Sequence, residues 1–331
     1  MRPQWGTRDL VADYEYVKTL NDGEDGVGGM NGGVFIVKRI ADGKRCIQKD
    51  MEQGNRGAVN HFRDEIRMLH RLEHANVVAY LDAFLTTTTP PLGGLFMEYC
   101  EFGTLRDVVD KYLARPTHEY MPESFIWHAY HNMLKALAYL HFGTPADAPV
   151  FAPRPGWRTV IHRDLKPDNI FLKRPLAAAA AAPPRRYPQI VLGDFGLALR
   201  KGDSHWGLRS ACGTFQWQGP EVPVACLAGR GDVWAAAAIV QHLCRFDGGP
   251  VGAAPHGWPD LDWTLYPGAR NPRPAGRKYS PQLNRALHRG LVWDVQQRPS
   301  SGVLLMHVKR LYAEARPKVE DMPEWVFDGW P

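Results

Sequence analysis

The chain has 331 residues, 44% of them hydrophobic and 23% charged, with a formal net charge of +5. That length and balance suit a globular protein able to bury a sizeable core, as one large domain or two modest lobes, and exclude disorder as the rule. The charge is mild and no basic run interleaves with aromatics, so no nucleic-acid partner is expected.

The first hundred residues read as mostly strand with one helix. The β-rich runs Gly33 to Ile40 and Lys44 to Met51 flank Ala41-Asp42-Gly43, a hairpin signal. Apolar residues at Val59, Phe62, Ile66, Leu69 and Leu72 recur at helical spacing, with Glu65 and Arg67 off the main stripe. Two short apolar runs follow, Val77 to Phe84 and Leu95 to Tyr99, separated by a Thr/Pro/Gly turn.

After about Glu101 the pattern changes to helices joined by loops. Ser124 to His141 carries Ile126, Met133, Leu134, Leu137 and Leu140 on one side. Asp232 to Cys244 is apolar nearly all round, as befits a helix at the centre of a lobe. Further helices are expected over Pro281 to Val292 and Pro299 to Ala313, while Arg245 to Ser280 is Gly/Pro-rich and yields no regular assignment. Two stretches read as insertions: Phe142 to Arg158, and Arg174 to Pro188, whose alanine run between prolines suggests an exposed loop. The last residues, EDMPEWVFDGWP, are either a docking tail or a segment packed on the body.

One stretch carries the chemistry. His162-Arg163-Asp164-Leu165-Lys166-Pro167-Asp168-Asn169 lies on a loop between the long helix and a short strand, Ile170 to Leu172. Asp194-Phe195-Gly196 follows a second short strand, Ile190 to Leu192. In that order the two resemble the catalytic loop and metal-binding loop of eukaryotic protein kinases of the serine/threonine type. The resemblance extends over roughly Tyr16 to Ala313 and implies an α+β, two-lobed fold: a small β-rich N-lobe with one helix and a larger, mostly helical C-lobe. The expected domains are an N-terminal extension over 1–15, the N-lobe over 16–100, the C-lobe over 101–313 with insertions at 142–158 and 174–188, and a C-terminal tail over 314–331.

Phosphoryl transfer through a loose transition state asks a protein mainly to position groups and neutralise charge. By resemblance, Asp164 accepts the proton of the substrate hydroxyl, Lys166 holds the transferring phosphate and Thr214 hydrogen-bonds near both. Asn169 and Asp194 supply hard oxygen ligands for Mg²⁺. ATP is bound by Lys49, paired with Glu65; by the backbone of Glu98 and Cys100 in the hinge, with Met97 as gatekeeper; by Val34 and Ile47 above the adenine and Phe171 below it. Ile47 stands where the family commonly has alanine. Counting back from Lys49 makes Gly32 and Gly29 the third and second glycines of the phosphate-covering loop, with Val27 in place of the first; the glycine density of Asp22 to Gly33 leaves another register open.

Gly219-Pro220-Glu221, Asp232-Val233-Trp234 and Arg298 fill the family's structural braces, and Ala237 replaces a common glycine. Met97-Glu98-Tyr99-Cys100-Glu101, Gly103-Thr104-Leu105 and Asn169-Ile170-Phe171-Leu172 are similar to NIMA-related kinases, from which the segment Ala211 to Gln218 departs. Arg163 beside Asp164 implies that a phosphate, expected on Ser210, orders the activation segment. Lys166, Thr214 and Leu197 imply serine/threonine acceptors on protein substrates, with a preference for serine. The alternative of a scaffold that keeps the fold without turnover is countered by Lys49, Asp164, Asn169 and Asp194; that of a small-molecule kinase by Lys166-Pro167, Asp194-Phe195-Gly196 and Gly219-Pro220-Glu221.

The five cysteines form no Cys-x-x-Cys pair, which suggests reduced thiols rather than a disulfide framework or zinc site. No run approaches the roughly 18 apolar residues of a membrane span, and MRPQWGTRDLVADYEY lacks the apolar centre of a signal peptide. A cytoplasmic or nuclear protein without membrane contact is expected.

Overall fold

The computed structural model describes residues 10–21, 32–52, 57–117, 119–143, 153–175, 187–203, 212–221, 229–247 and 272–329. They belong to two units, Met1–Cys100 and Glu101–Pro331.

In the first unit five strands, β1 (Tyr14–Asn21), β2 (Val34–Arg39), β3 (Arg45–Asp50), β4 (Tyr80–Leu85) and β5 (Gly93–Glu98), form one sheet in the order β1-β2-β3-β5-β4. All its pairings are antiparallel. Strand β1 takes in Tyr14 and Glu15, two residues that the sequence assigns to the extension. The β2–β3 hairpin turns where expected: Gly43 adopts φ +68°, and Asp42 Oδ1 accepts from the Lys44 N–H at 3.2 Å.

Strand register decides which side chains share a face. Val34, Lys49 and Leu95 are successive cross-strand partners, as are Ile36, Ile47 and Met97. The opposite face carries Val37, Cys46 and Phe96, with Tyr14 stacked on Phe96 at a centroid distance of 4.1 Å and Phe84 closing the cluster. Helix α1 (Ala58–Leu69) buries Phe62, Ile66 and Leu69, and ends three residues short of the apolar periodicity, since Leu72 lies in the turn beyond it. Glu65 also corrects the sequence reading. It is buried rather than off the stripe, because positions 62, 65 and 69 lie on one side of a helix of 3.6 residues per turn.

The second unit is mostly helical: α2 (Leu105–Leu113), α3 (Glu123–Phe142), α4 (Arg230–Arg245), α5 (Pro281–Gly290) and α6 (Ser301–Ala315). Two short antiparallel pairs accompany them, β6 (Val160–Ile161) with β9 (Leu199–Arg200) and β7 (Ile170–Lys173) with β8 (Gln189–Leu192). A capping box starts α2: Thr104 Oγ1 accepts from the Asp107 N–H, and the Asp107 carboxylate accepts from the Thr104 N–H at 2.7 Å. Helix α4 has no exposed face; Val233 to Leu243 is buried throughout, between α3 and α5. Four consecutive alanines, Ala235 to Ala238, let its neighbours approach closely. The methyl of Ala237 faces Gly290 of α5, where an added Cβ would lie 2.5 Å from it.

Of the stretch read as a first insertion, the described part folds back on the end of α3: Trp157 Nε1 donates to the Leu140 carbonyl at 3.0 Å. The alanine run and most of the Gly/Pro-rich stretch lie outside the described residues. The C-terminal tail packs on the body, with Val326 fully buried. Among the described residues, no helix is long and apolar enough to cross a membrane.

The Glu221–Arg298 brace is a two-pronged ion pair, Nη1 to Oε1 at 2.7 Å and Nη2 to Oε2 at 2.9 Å, with Arg298 fully buried. Nη1 also donates to the Arg230 carbonyl at 2.8 Å, Nε donates to the Val292 carbonyl at 3.0 Å, and the guanidinium lies over the Trp234 ring. Arg298→Met would leave the Glu221 carboxylate buried and uncompensated, and is expected to lower the unfolding free energy by about 3–5 kcal/mol. A denaturant melt of the two proteins, followed by tryptophan fluorescence, checks it; coincident curves would refute the brace.

Candidate functional site

In the first unit, the alternation of β2, β3 and β5 puts Val34, Ile47, Lys49 and Met97 on one face of the sheet. On that face the Lys49 ammonium donates to both Glu65 oxygens, at 2.8 and 3.1 Å, with the lysine side chain only 12% exposed and the carboxylate 5%. An ammonium held so by a partner on α1 points in one direction. At the mouth of the hairpin the Gly32 N–H donates to the Asp50 carbonyl at 2.9 Å, and a Cβ at residue 32 would lie 2.5 Å from the Met51 carbonyl oxygen. Only glycine fits there. Gly29 and Val27 lie outside the described residues. At the end of β5, Glu98 and Ala79 exchange hydrogen bonds: the Glu98 N–H donates to the Ala79 carbonyl at 3.0 Å, and the Ala79 N–H donates to Glu98 Oε1 at 2.9 Å. Cys100 is buried.

The second unit gathers Asp164, Lys166, Asn169 and Thr214. Asp164 Oδ1 accepts from the Thr214 N–H at 2.7 Å and from its hydroxyl at 2.9 Å. Lys166 Nζ donates to Thr214 Oγ1 at 3.1 Å and lies 3.4 Å from Asp164 Oδ2. Asn169 Nδ2 donates to the Asp164 carbonyl at 2.8 Å and contacts Oδ2 at 3.3 Å. One carboxylate oxygen is therefore committed to Thr214. The other has only long contacts and is the freer acceptor.

Asp194 comes close to this group through the β7–β8 pair. The Gly193 N–H donates to the Asn169 carbonyl at 3.0 Å, so the residues after β8 start beside the end of the stretch His162 to Asn169. Asp194 adopts φ +57° and Arg163 φ +72°, a region that non-glycine residues rarely enter. Phe195 is buried against His162, ring centroids 4.9 Å apart. Phe171, on β7, is opposite Val191 and forms a bridge with Thr104 at the start of α2. Ser210 lies outside the described residues.

Two groups that hold this loop were not singled out as site residues in the sequence. Asp232, at the start of α4, accepts from the His162 N–H at 2.8 Å, the Arg163 N–H at 2.9 Å and His141 Nε2 at 3.1 Å. Burial raises its pKa, but the His141 hydrogen bond and charge, His162 and the backbone donor outweigh that and bring the carboxyl below its ordinary value. His162 accepts the Asp164 N–H at Nδ1 (3.3 Å), so Nε2 carries the proton donated to the Gly193 carbonyl at 2.9 Å. This ring ties the loop to the segment containing Asp194. In the sequence Asp232 shows only as part of Asp232-Val233-Trp234 and His162 only as the head of the loop motif, while His141, near the end of α3, carries no motif.

Asn169 and Asp194 carry donors suited to a hard divalent cation. Among the described residues no three His, Cys, Asp or Glu side chains stand together as a complete metal cage. Two oxygen donors fit Mg²⁺, which commonly completes its shell with phosphate and water.

Over residues 25–308 the chain matches the family described as protein kinase domain. It is 28% identical over 238 residues to the serine/threonine-protein kinase Nek2 of Mus musculus, covering 71% of this chain and 46% of that one. It is 31% identical over 250 residues to the G2-specific protein kinase nimA of Emericella nidulans, covering 70% and 32%. With the G2-specific protein kinase fin1 of Schizosaccharomyces pombe it shares 28% over 226 residues, covering 65% and 29%. The chain thus spans less than half the length of these relatives.

Because the folded-state pKa of Asp232 is depressed, its stabilisation is fully present above the ordinary carboxylate value of 3.8 and is lost as the pH falls through the lower folded value. Unfolding free energies measured from about pH 5 down to about pH 2.5 are expected to fall more steeply for the wild type than for Asp232→Asn. Parallel profiles would show that the carboxylate is not the anchor.

Proposed function

The chain belongs to the protein kinase domain family, and from that membership we propose that it transfers the γ-phosphate of ATP to serine and threonine hydroxyls of protein substrates. The observation that carries this reading is the Asp164 carboxylate, with one oxygen fixed by Thr214 and the other held only by long contacts to Lys166 and Asn169. A base for a weakly acidic hydroxyl need only be close and correctly aimed, since the transition state demands little covalent help.

In this reading Asp164 orients the acceptor hydroxyl and takes its proton. Lys166, already hydrogen-bonded to Thr214, offers its ammonium to the transferring group, and Thr214 keeps carboxylate and ammonium in register. Lys49 holds the remaining phosphates, with Glu65 aiming it. Val34, Ile47 and Phe171 enclose the adenine, Met97 stands as gatekeeper, the backbones of Glu98 and Cys100 hydrogen-bond it, and Gly32 with Gly29 lets backbone N–H groups approach the phosphates. Asn169 and Asp194 would hold Mg²⁺, which, when bound, neutralises charge on the phosphate oxygens.

Lys166 and Thr214 support serine/threonine acceptors, and Leu197 a preference for serine. The relatives' names support kinship with NIMA-related kinases. A cytoplasmic or nuclear place is proposed on the scattered cysteines, which form no Cys-x-x-Cys pair.

Asp164→Ala is expected to reduce phosphate transfer from radiolabelled ATP to mixed serine/threonine peptides by about 10²–10⁴-fold or more. Thr214→Val, which removes the hydroxyl but keeps the shape, is expected to cost about tenfold, as one hydrogen bond to a charged group. Equal labelling by wild type and Asp164→Ala would mean that the activity belongs to a contaminant.

A further inference from the structure

The segment after α6 is an element that phosphate transfer leaves without a task, yet it is held at several separate points. It crosses the N-terminal end of α3, where the Glu320 N–H donates to Ser124 Oγ at 3.2 Å and the Glu320 carbonyl accepts from the Tyr187 hydroxyl. Met322 and Val326 are buried. A short turn, Glu324–Phe327, then sets two aromatic rings on two different elements. Trp325 meets Tyr112 of α2 edge-on at 4.8 Å, with the Arg115 guanidinium 4.8 Å from its ring. Phe327 meets Phe102 edge-on at 5.6 Å, and the Arg174 guanidinium lies 5.7 Å from the Phe102 ring. Finally Lys111 Nζ donates to the carbonyls of Val326 at 2.8 Å and Asp328 at 2.7 Å.

Fixing each residue of a segment outside a long helix or a sheet costs backbone entropy. Covering an apolar patch would need only Met322, Val326 and the aromatic rings. The ammonium on two terminal carbonyls fixes the backbone as well, and so fixes where Phe327 points.

What it points at is the loop before α2. The Phe102 N–H donates to the Leu172 carbonyl at 3.0 Å, and the Leu172 N–H donates to the Gly103 carbonyl at 2.8 Å. Leu172 follows Phe171, and Phe171 itself bridges to Thr104. One side of the loop is therefore stitched to β7, and the ring of Phe102 is gripped by the tail.

We propose that Glu320–Asp328 is a strap that positions the Phe102–Gly103 loop, and through it Phe171 on β7, so that Lys111, Trp325 and Phe327 are positioning residues for nucleotide affinity and not for turnover. This rests on the kinase reading, in which Phe171 lies beneath the adenine.

The test uses the full chain as wild type, Lys111→Met, Phe327→Ala and Phe327→Tyr. ATP is varied at saturating peptide, and amide hydrogen exchange is followed over residues 101–104 and 170–173. Lys111→Met keeps the apolar stem and every ring, so it stays informative if Phe327→Ala folds poorly. Lys111→Met and Phe327→Ala are expected to raise KM for ATP by about three- to tenfold with kcat within about twofold, while Phe327→Tyr, which keeps the ring, stays near wild type. Exchange in the loop and β7 should quicken in the same two variants. Quicker exchange with KM unchanged, or a loss confined to kcat, would overturn the strap and leave the kinase reading standing. A wild type that neither binds nor turns over ATP would overturn the kinase reading, and the strap with it.

Discussion

The rest of the second unit's chemistry depends on one buried carboxylate. Asp232 sits where water cannot reach, and a charge there is tolerated only because two backbone N–H groups and His141 face it. Those N–H groups belong to His162 and Arg163, so the anchor grips main chain rather than side chain. A backbone held in this way can be kept in the unfavourable conformation of Arg163, φ +72°, a strain of about 1–3 kcal/mol that the surrounding hydrogen bonds over-determine. From that twisted point the chain delivers Asp164, Lys166 and Asn169 in quick succession. His162, turned the other way, fastens the segment that contains Asp194.

The first unit solves a different problem with the same economy. Lys49 and Glu65 are both largely removed from water, which costs each of them hydration. The pair is worth keeping for direction rather than for stability: a strand and a helix have to be in register before the two charges can meet. Sheet alternation does the rest by placing Val34, Ile47 and Met97 on the face of Lys49.

Much of this was legible before any coordinates, for reasons that differ between elements. The β2–β3 hairpin announced itself through a turn glycine between two alternating runs, and α3, α5 and α6 through apolar spacing. Helix α4 was legible for the opposite reason, its lack of any polar side. Asp164, Asn169 and Asp194 could be picked out because chemistry packs them into short stretches. Glu65 was assigned to the wrong side of α1, because a charged residue was discounted where only its spacing should have counted. Pairings across long sequence separations show only where a motif marks them, as for Glu221 with Arg298; Asp232 shows as part of Asp232-Val233-Trp234 but not as the residue that grips the loop. Asp232 lies 70 residues from His162, and Lys111 lies 215 from Val326, so no local period links either pair. The tail's aromatic residues could be seen but not what they touch, since edge-on ring contacts leave no mark on neighbouring residues.

The close approach of α4 and α5 makes two positions depend on each other. The room the Ala237 methyl needs is supplied by the bare Cα of Gly290. Volume at this crossing is already filled: a carbon added at residue 290 would lie 2.5 Å from the Ala237 methyl and 2.7 Å from the Tyr130 hydroxyl oxygen. Any side chain at residue 290 must therefore displace α3 as well as α4, so shrinking residue 237 alone does not make room for it.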